Sequence, residues 1–79
     1  MTTQEATRWI AGLFQESADS IAPETPRDAV AAWDSLGELT LMADMDEKFS
    51  IVLTDTQLKA MTKVGDILQV LRENGKLTD

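Results

Sequence analysis

The 79-residue chain contains no cysteine and no histidine, and no apolar stretch approaches the roughly 20 residues needed to span a bilayer. Without cysteine there is neither a disulfide framework nor a thiolate zinc site, so stability must come from packing alone. That absence says little about compartment, although it removes the commonest signature of a secreted mini-protein. Without histidine the chain has no imidazole base to activate a serine, and without cysteine it has no thiol of its own. The four glycines are scattered and form no phosphate-cradling loop. Positive charge is scarce: 7 Lys and Arg against 14 Asp and Glu give a formal net charge of -7. Such a surface repels nucleic-acid backbones and anionic membranes and suits basic protein partners. The Met1-Thr2-Thr3-Gln4-Glu5 start lacks the basic region and apolar run of a secretion signal. The expectation is a soluble, cytoplasmic, monomeric protein of one domain over residues 1–79, with neither nucleic acid nor membrane as partner. A chain this short buries only roughly 60% of the surface its unfolded form exposes, so the core must be small.

The pattern that is present is helical. Ala6, Ile10, Leu13, Phe14 and Ser17 fall near helical spacing, which predicts a first helix from about Thr3 to Ser17, capped by Thr2 or Thr3 with Glu5 at the positive end of its dipole. Asp19 to Arg27 holds both prolines, Pro23 and Pro26, and reads as a long structured loop. Ala29, Val30, Ala31 and Ala32 are apolar enough to dock that loop, and Trp33 ends the docked segment. A second helix is predicted from Ser35 to about Phe49. Thr54 and Gln57 have capping-box spacing for a short third helix ending near Met61. A fourth begins at Thr62 or Lys63, with Val64, Ile67, Leu68 and Leu71 at i, i+3, i+4 and i+7 and Gly75-Lys76 as its stop. The sum is an all-α, four-helix bundle with a short third helix and a long loop between helices one and two.

Helix two carries more apolar residues than one stripe needs. At 100° per residue, Leu41, Met42, Met45 and Phe49 cluster on one side, the expected core face, while Leu36, Leu39 and Ala43 cluster on another. Leu36 and Leu39 are therefore expected to be more exposed than Met45 and Phe49. Asp44 and Glu47 flank that second strip on one side and Asp46 lies near the other.

Trp33-Asp34-Ser35-Leu36 puts a hydroxyl at the start of this helix. Serine is among the commonest N-cap residues, so capping accounts for an isolated tripeptide of this kind. In its context, however, the segment resembles the acyl carrier protein family, whose members carry a 4′-phosphopantetheine arm on the serine of an Asp-Ser-Leu motif opening the second helix. Asp34-Ser35-Leu36 matches that motif residue for residue. The resemblance runs from helix one to helix four and is clearest from Trp33 to Leu71, where the Phe49-Ser50-Ile51 exit and the Thr62-Lys63-Val64 start keep family spacing.

The resemblance implies a non-catalytic carrier, modified at Ser35 by a phosphopantetheinyl transferase that brings coenzyme A and the catalytic groups. Acyl intermediates of fatty-acid, polyketide or related pathways would ride as thioesters on the arm. It further implies that Asp34, Leu36, Leu39, Ala43, Asp44 and Glu47 face loading ligases or synthases with basic docking patches. Four features depart from common fatty-acid carriers: Gly37 and Thr40 stand where those have acids, Lys48 replaces an acid near the helix end, and Trp33 stands where those usually have a small residue. An aminoacyl or hydroxyacyl carrier loaded by a dedicated ligase is compatible with the missing acids at Gly37 and Thr40. An unmodified helical interaction module, with Ser35 as a plain cap, is the more distant alternative.

The expected interior comprises Leu41, Met42, Met45, Phe49, Ile51, Leu58, Met61, Val64 and Leu68. Methionine fills irregular gaps well, so a core of this kind is expected to be ordinarily packed with some capacity for a short chain. The resemblance implies the alternative that these side chains part to admit an acyl chain between helices two, three and four. Asp44, Asp46, Lys48, Ser50 and Asp55 imitate part of a calcium-loop spacing, but Phe49 stands where glycine is needed and Lys48 where a ligand should be.

Overall fold

Helix boundaries in this chain are set by side chains that satisfy the orphan amides at each start. The structure, a computed structural model, describes all 79 residues and consists of four α-helices with no strand. α1 spans Thr3–Leu13, α2 Ser35–Phe49, α3 Asp55–Ala60 and α4 Val64–Glu73. Thr2 and Glu5 form a reciprocal capping box at α1, and Thr54 and Gln57 form one at α3. At α4 the Asp66 carboxylate accepts from the amides of Thr62 (2.8 Å) and Lys63 (3.3 Å) and from the Thr62 hydroxyl (3.2 Å). The Thr62 amide bond, above all, holds the Asp66 carboxyl below the usual carboxylate range.

α1 is shorter than the sequence suggests, ending at Leu13 rather than Ser17. Gln15 adopts a left-handed φ of 60°, and the amides of Gln15 and Glu16 turn back to the carbonyls of Gly12 (3.2 Å) and Ala11 (2.8 Å). This is a Schellman stop built without its usual glycine, which is why no glycine signalled it. α4 stops the same way with the expected residue: Gly75 has φ 70°, and the amides of Gly75 and Lys76 donate to Arg72 and Leu71.

The long connection between α1 and α2 includes two short 3₁₀ turns, Ala18–Ser20 and Arg27–Ala29. Of the four residues expected to dock it, only Val30 is fully buried; Ala32 is half-buried, and Ala29 and Ala31 face solvent. Backbone bonds do much of the anchoring. Arg27 N–H donates to the Thr62 carbonyl, Val64 N–H to Thr25 and Gly65 N–H to Pro23, stapling the loop to the α3–α4 connection. At the other end, the Thr3 amide and hydroxyl donate to the Asp79 carboxylate, so the last residues lie over the start of α1.

A single cluster of 17 buried apolar residues forms the core. Ile10, Phe14, Leu41, Met45, Val64, Ile67 and Leu71 are its largest fully enclosed side chains. Two residues expected inside are only half-buried: Met42 and Phe49 lie at the edge, and Phe49 meets Trp9 of α1 edge-to-face at 5.2 Å. The reason is angular, since both lie further round α2 from its most deeply buried residues, Leu41 and Met45. Conversely, Trp33, read as the end of the docked loop, belongs to the core at 4% exposure. The radius of gyration is 11.3 Å, close to the about 12 Å expected for a compact chain of this length. No helix is long and apolar enough to cross a membrane.

Candidate functional site

The start of α2 is where the candidate residues converge. Asp34, not Ser35, is the N-cap: its Oδ1 accepts the Gly37 amide at 2.9 Å, and its carbonyl accepts the Glu38 amide at 2.8 Å. Ser35 is the first helical residue, exposed to solvent, and no protein group engages its hydroxyl. The amides of Ser35 and Leu36 are left unpaired beside it at the positive end of the helix. An anion attached at this hydroxyl would be favoured there by roughly 0.3–1 kcal/mol.

Gly37 has a role that its sequence did not reveal. A Cβ at this position would overlap the Ala32 backbone carbonyl oxygen and crowd Phe14 Cε1 at 3.3 Å. The glycine lets the first turn of α2 pass directly against the end of the preceding loop. Its place is thus dictated by sterics.

Beneath the helix start lies an aromatic stack. The Trp33 indole lies over Phe14 with centroids 5.2 Å apart and planes 16° from parallel, and the Arg27 guanidinium carbon sits 5.4 Å from the indole centroid. Arg27 Nε donates to the Trp33 carbonyl at 3.1 Å, and the same guanidinium pairs with Glu38. The indole N–H is buried with no acceptor. The ring is therefore held by stacking and by the guanidinium rather than by a hydrogen bond of its own. Neither Arg27 nor Glu38 was singled out from sequence; an arginine between two prolines and a helix start carries no local signal of its partners.

The second face of α2 emerges as anticipated. Leu36 is 72% and Leu39 57% exposed, while Met45 is fully enclosed and Phe49 half-buried. Ala43 and Glu47 are exposed beside them, and Asp44 is half-exposed. Asp44, Glu47 and Lys48 border a shallow open groove with Trp9 of α1. Val52, 75% exposed in the α2–α3 connection, is a third large apolar side chain in solvent that the sequence did not flag. Met45 and Met61 are buried, and every depression in the molecule is an open surface groove, so the interior holds no preformed chamber. No protein-family model matches the chain, and no curated protein matches it.

Proposed function

We propose that this chain is a discrete carrier protein of the acyl-carrier type, bearing a 4′-phosphopantetheine arm on Ser35. The observation that carries the reading is an exposed hydroxyl, free of any intramolecular partner, on the first residue of a helix that a different residue already caps. Capping gives this serine no reason to be a serine. The order of two long helices, a short one and a long one, with an extended loop after the first, agrees with that architecture.

Ser35 supplies the oxygen nucleophile that attacks the pantetheine-side phosphorus of coenzyme A. The O–P bond forms as the pyrophosphate bond breaks and the adenosine bisphosphate half leaves, and the unpaired Ser35 and Leu36 amides favour the resulting phosphodiester. Its general base comes from the modifying transferase, because Asp34 is committed to the Gly37 amide and the chain has no histidine. When bound, the arm supplies a terminal thiol that holds an acyl group as a thioester. Leu36, Leu39 and Ala43 offer the apolar centre of a docking face, and Asp44 and Glu47 its acidic border. Weak, fast, charge-steered docking onto basic patches suits a shuttle, and its rate falls as salt screens the charges. Fatty-acid, polyketide and related acyl pathways all use such a carrier.

Intact mass spectrometry after incubation with coenzyme A and a broad-specificity phosphopantetheinyl transferase tests the reading. The expected result is a gain of one phosphopantetheine in the wild type and none in Ser35→Ala. An unchanged wild-type mass, or the same gain in the variant, overturns it.

A further inference from the structure

We infer that Arg27 is the positioning residue for Ser35, holding the start of α2 in the register a modifying enzyme must meet; the inference rests on the carrier reading above. Trp33 and Glu38 bracket Ser35 in sequence, and one guanidinium grips both: Nε binds the Trp33 carbonyl at 3.1 Å, and a terminal nitrogen pairs with the Glu38 carboxylate. Trp33 contributes the last loop carbonyl but one before the helix. Glu38 closes the first turn through its amide bond to the Asp34 carbonyl. The guanidinium therefore ties the incoming loop to the first turn across the serine.

The anchor itself is firm. Arg27 N–H donates to the Thr62 carbonyl at 2.8 Å, which fixes its backbone on the α3–α4 connection. Its side chain is 23% and that of Glu38 16% exposed, so the pair is largely shielded from water and from direct contact with a docking enzyme. The planar fork also lies over the Trp33 ring, which the Phe14 stack supports. Lysine has one compact ammonium and cannot reproduce this combination of a carbonyl bond, a carboxylate pair and a stacked plane. Glu38, being paired, adds no free charge to the exposed face.

Loss of this grip leaves Ser35 exposed but lowers the fraction of molecules whose helix start has the binding-competent geometry. Apparent affinity falls with that fraction, while turnover once bound does not. The full-length apo chain is assayed with the transferase at varied carrier concentration, and backbone hydrogen exchange is followed in parallel. Arg27→Ala is expected to raise the carrier KM about tenfold with kcat within about twofold, with faster exchange at the bonded amides of Gly37 and Glu38 and unaltered exchange in α4. Arg27→Lys is expected to restore little. Glu38→Gln, which keeps the Trp33 carbonyl bond and the stack, is expected to raise KM by about twofold to threefold.

A folded Arg27→Ala protein with wild-type KM overturns the inference. So does a raised KM without faster exchange at Gly37 and Glu38, since that marks a direct contact with the transferase. If Arg27→Ala does not fold, Glu38→Gln decides, and wild-type KM and exchange there overturn the inference equally. A wild type that gains no mass overturns the carrier reading itself, a result no Arg27 variant can mimic.

Discussion

The Gly37 amide donates to the Asp34 carboxylate at 2.9 Å, so the aspartate caps α2 and the adjacent serine is left with nothing to do inside the fold. This division of labour separates two residues that the sequence alone leaves interchangeable as caps. Asp34→Ala should therefore destabilise the protein by about 1 kcal/mol, while Ser35→Ala should change stability by less than about 0.5 kcal/mol. Urea unfolding of the two variants side by side decides it, and a larger loss for the serine variant would reverse the assignment of the cap.

Gly37→Ala sets two effects against each other. Alanine is the better helix former by about 1 kcal/mol. Its Cβ, however, meets the Ala32 carbonyl at the end of the loop and the Phe14 ring packed in the core. Backbone cannot swing aside as a flexible side chain does, so overpacking of about 1–3 kcal/mol should win and the variant should be less stable. A raised melting temperature would show that the loop yields more easily than its contacts suggest.

The two phenylalanines should differ in cost. Phe14 is 1% exposed and stacked on Trp33, so Phe14→Ala should cost about 3–5 kcal/mol. Phe49, which the sequence places on the core face, is half-buried against Trp9, and Phe49→Ala should cost about 1–2 kcal/mol. Chemical denaturation of both variants measures the difference, and equal losses would contradict the edge position of Phe49.

Asp66 makes stability depend on pH in a definite direction. Its carboxyl titrates below the ordinary carboxylate value because the Thr62 amide bond, the Thr62 hydroxyl and the Lys63 amide all favour the charged form. A group lowered in this way stabilises the fold above its unfolded pKa of about 4, and that contribution fades as pH falls below it toward the folded value. Asp66→Asn keeps an acceptor but loses the charge, so it should be less stable than wild type at neutral pH, by no more than about 0.5 kcal/mol because solvent screens so exposed a carboxylate. The gap between the two should narrow as pH drops through the acid range. A gap constant from neutral to strongly acid conditions would assign the loss to shape rather than ionisation.

Much of the fold was legible because its signals are local. The bounds of α2, the Thr54–Gln57 box of α3, the Val64-Ile67-Leu68-Leu71 stripe and the Gly75 stop all follow from residues three or four apart, whose contacts are made within one turn of helix. The surplus apolar strip of Leu36, Leu39 and Ala43 followed in the same way from angular spacing. Gln15 broke the pattern, since nothing in a glutamine announces a left-handed residue, and α1 consequently ended four residues sooner than its apolar spacing suggested.

Four helices, a hydroxyl at the tip of the second and an acidic, partly apolar face beside it were already implied by the order of residues along the chain. Only the folded chain reveals that Trp33 turns into the core over Phe14, that Gly37 must remain small against Ala32, and that Arg27 pairs with Glu38. Those contacts join residues whose meeting depends on how a nonrepetitive loop folds back on the bundle. Helical periodicity fixes neighbours along one cylinder, and it carries no information about where such a loop lays its side chains.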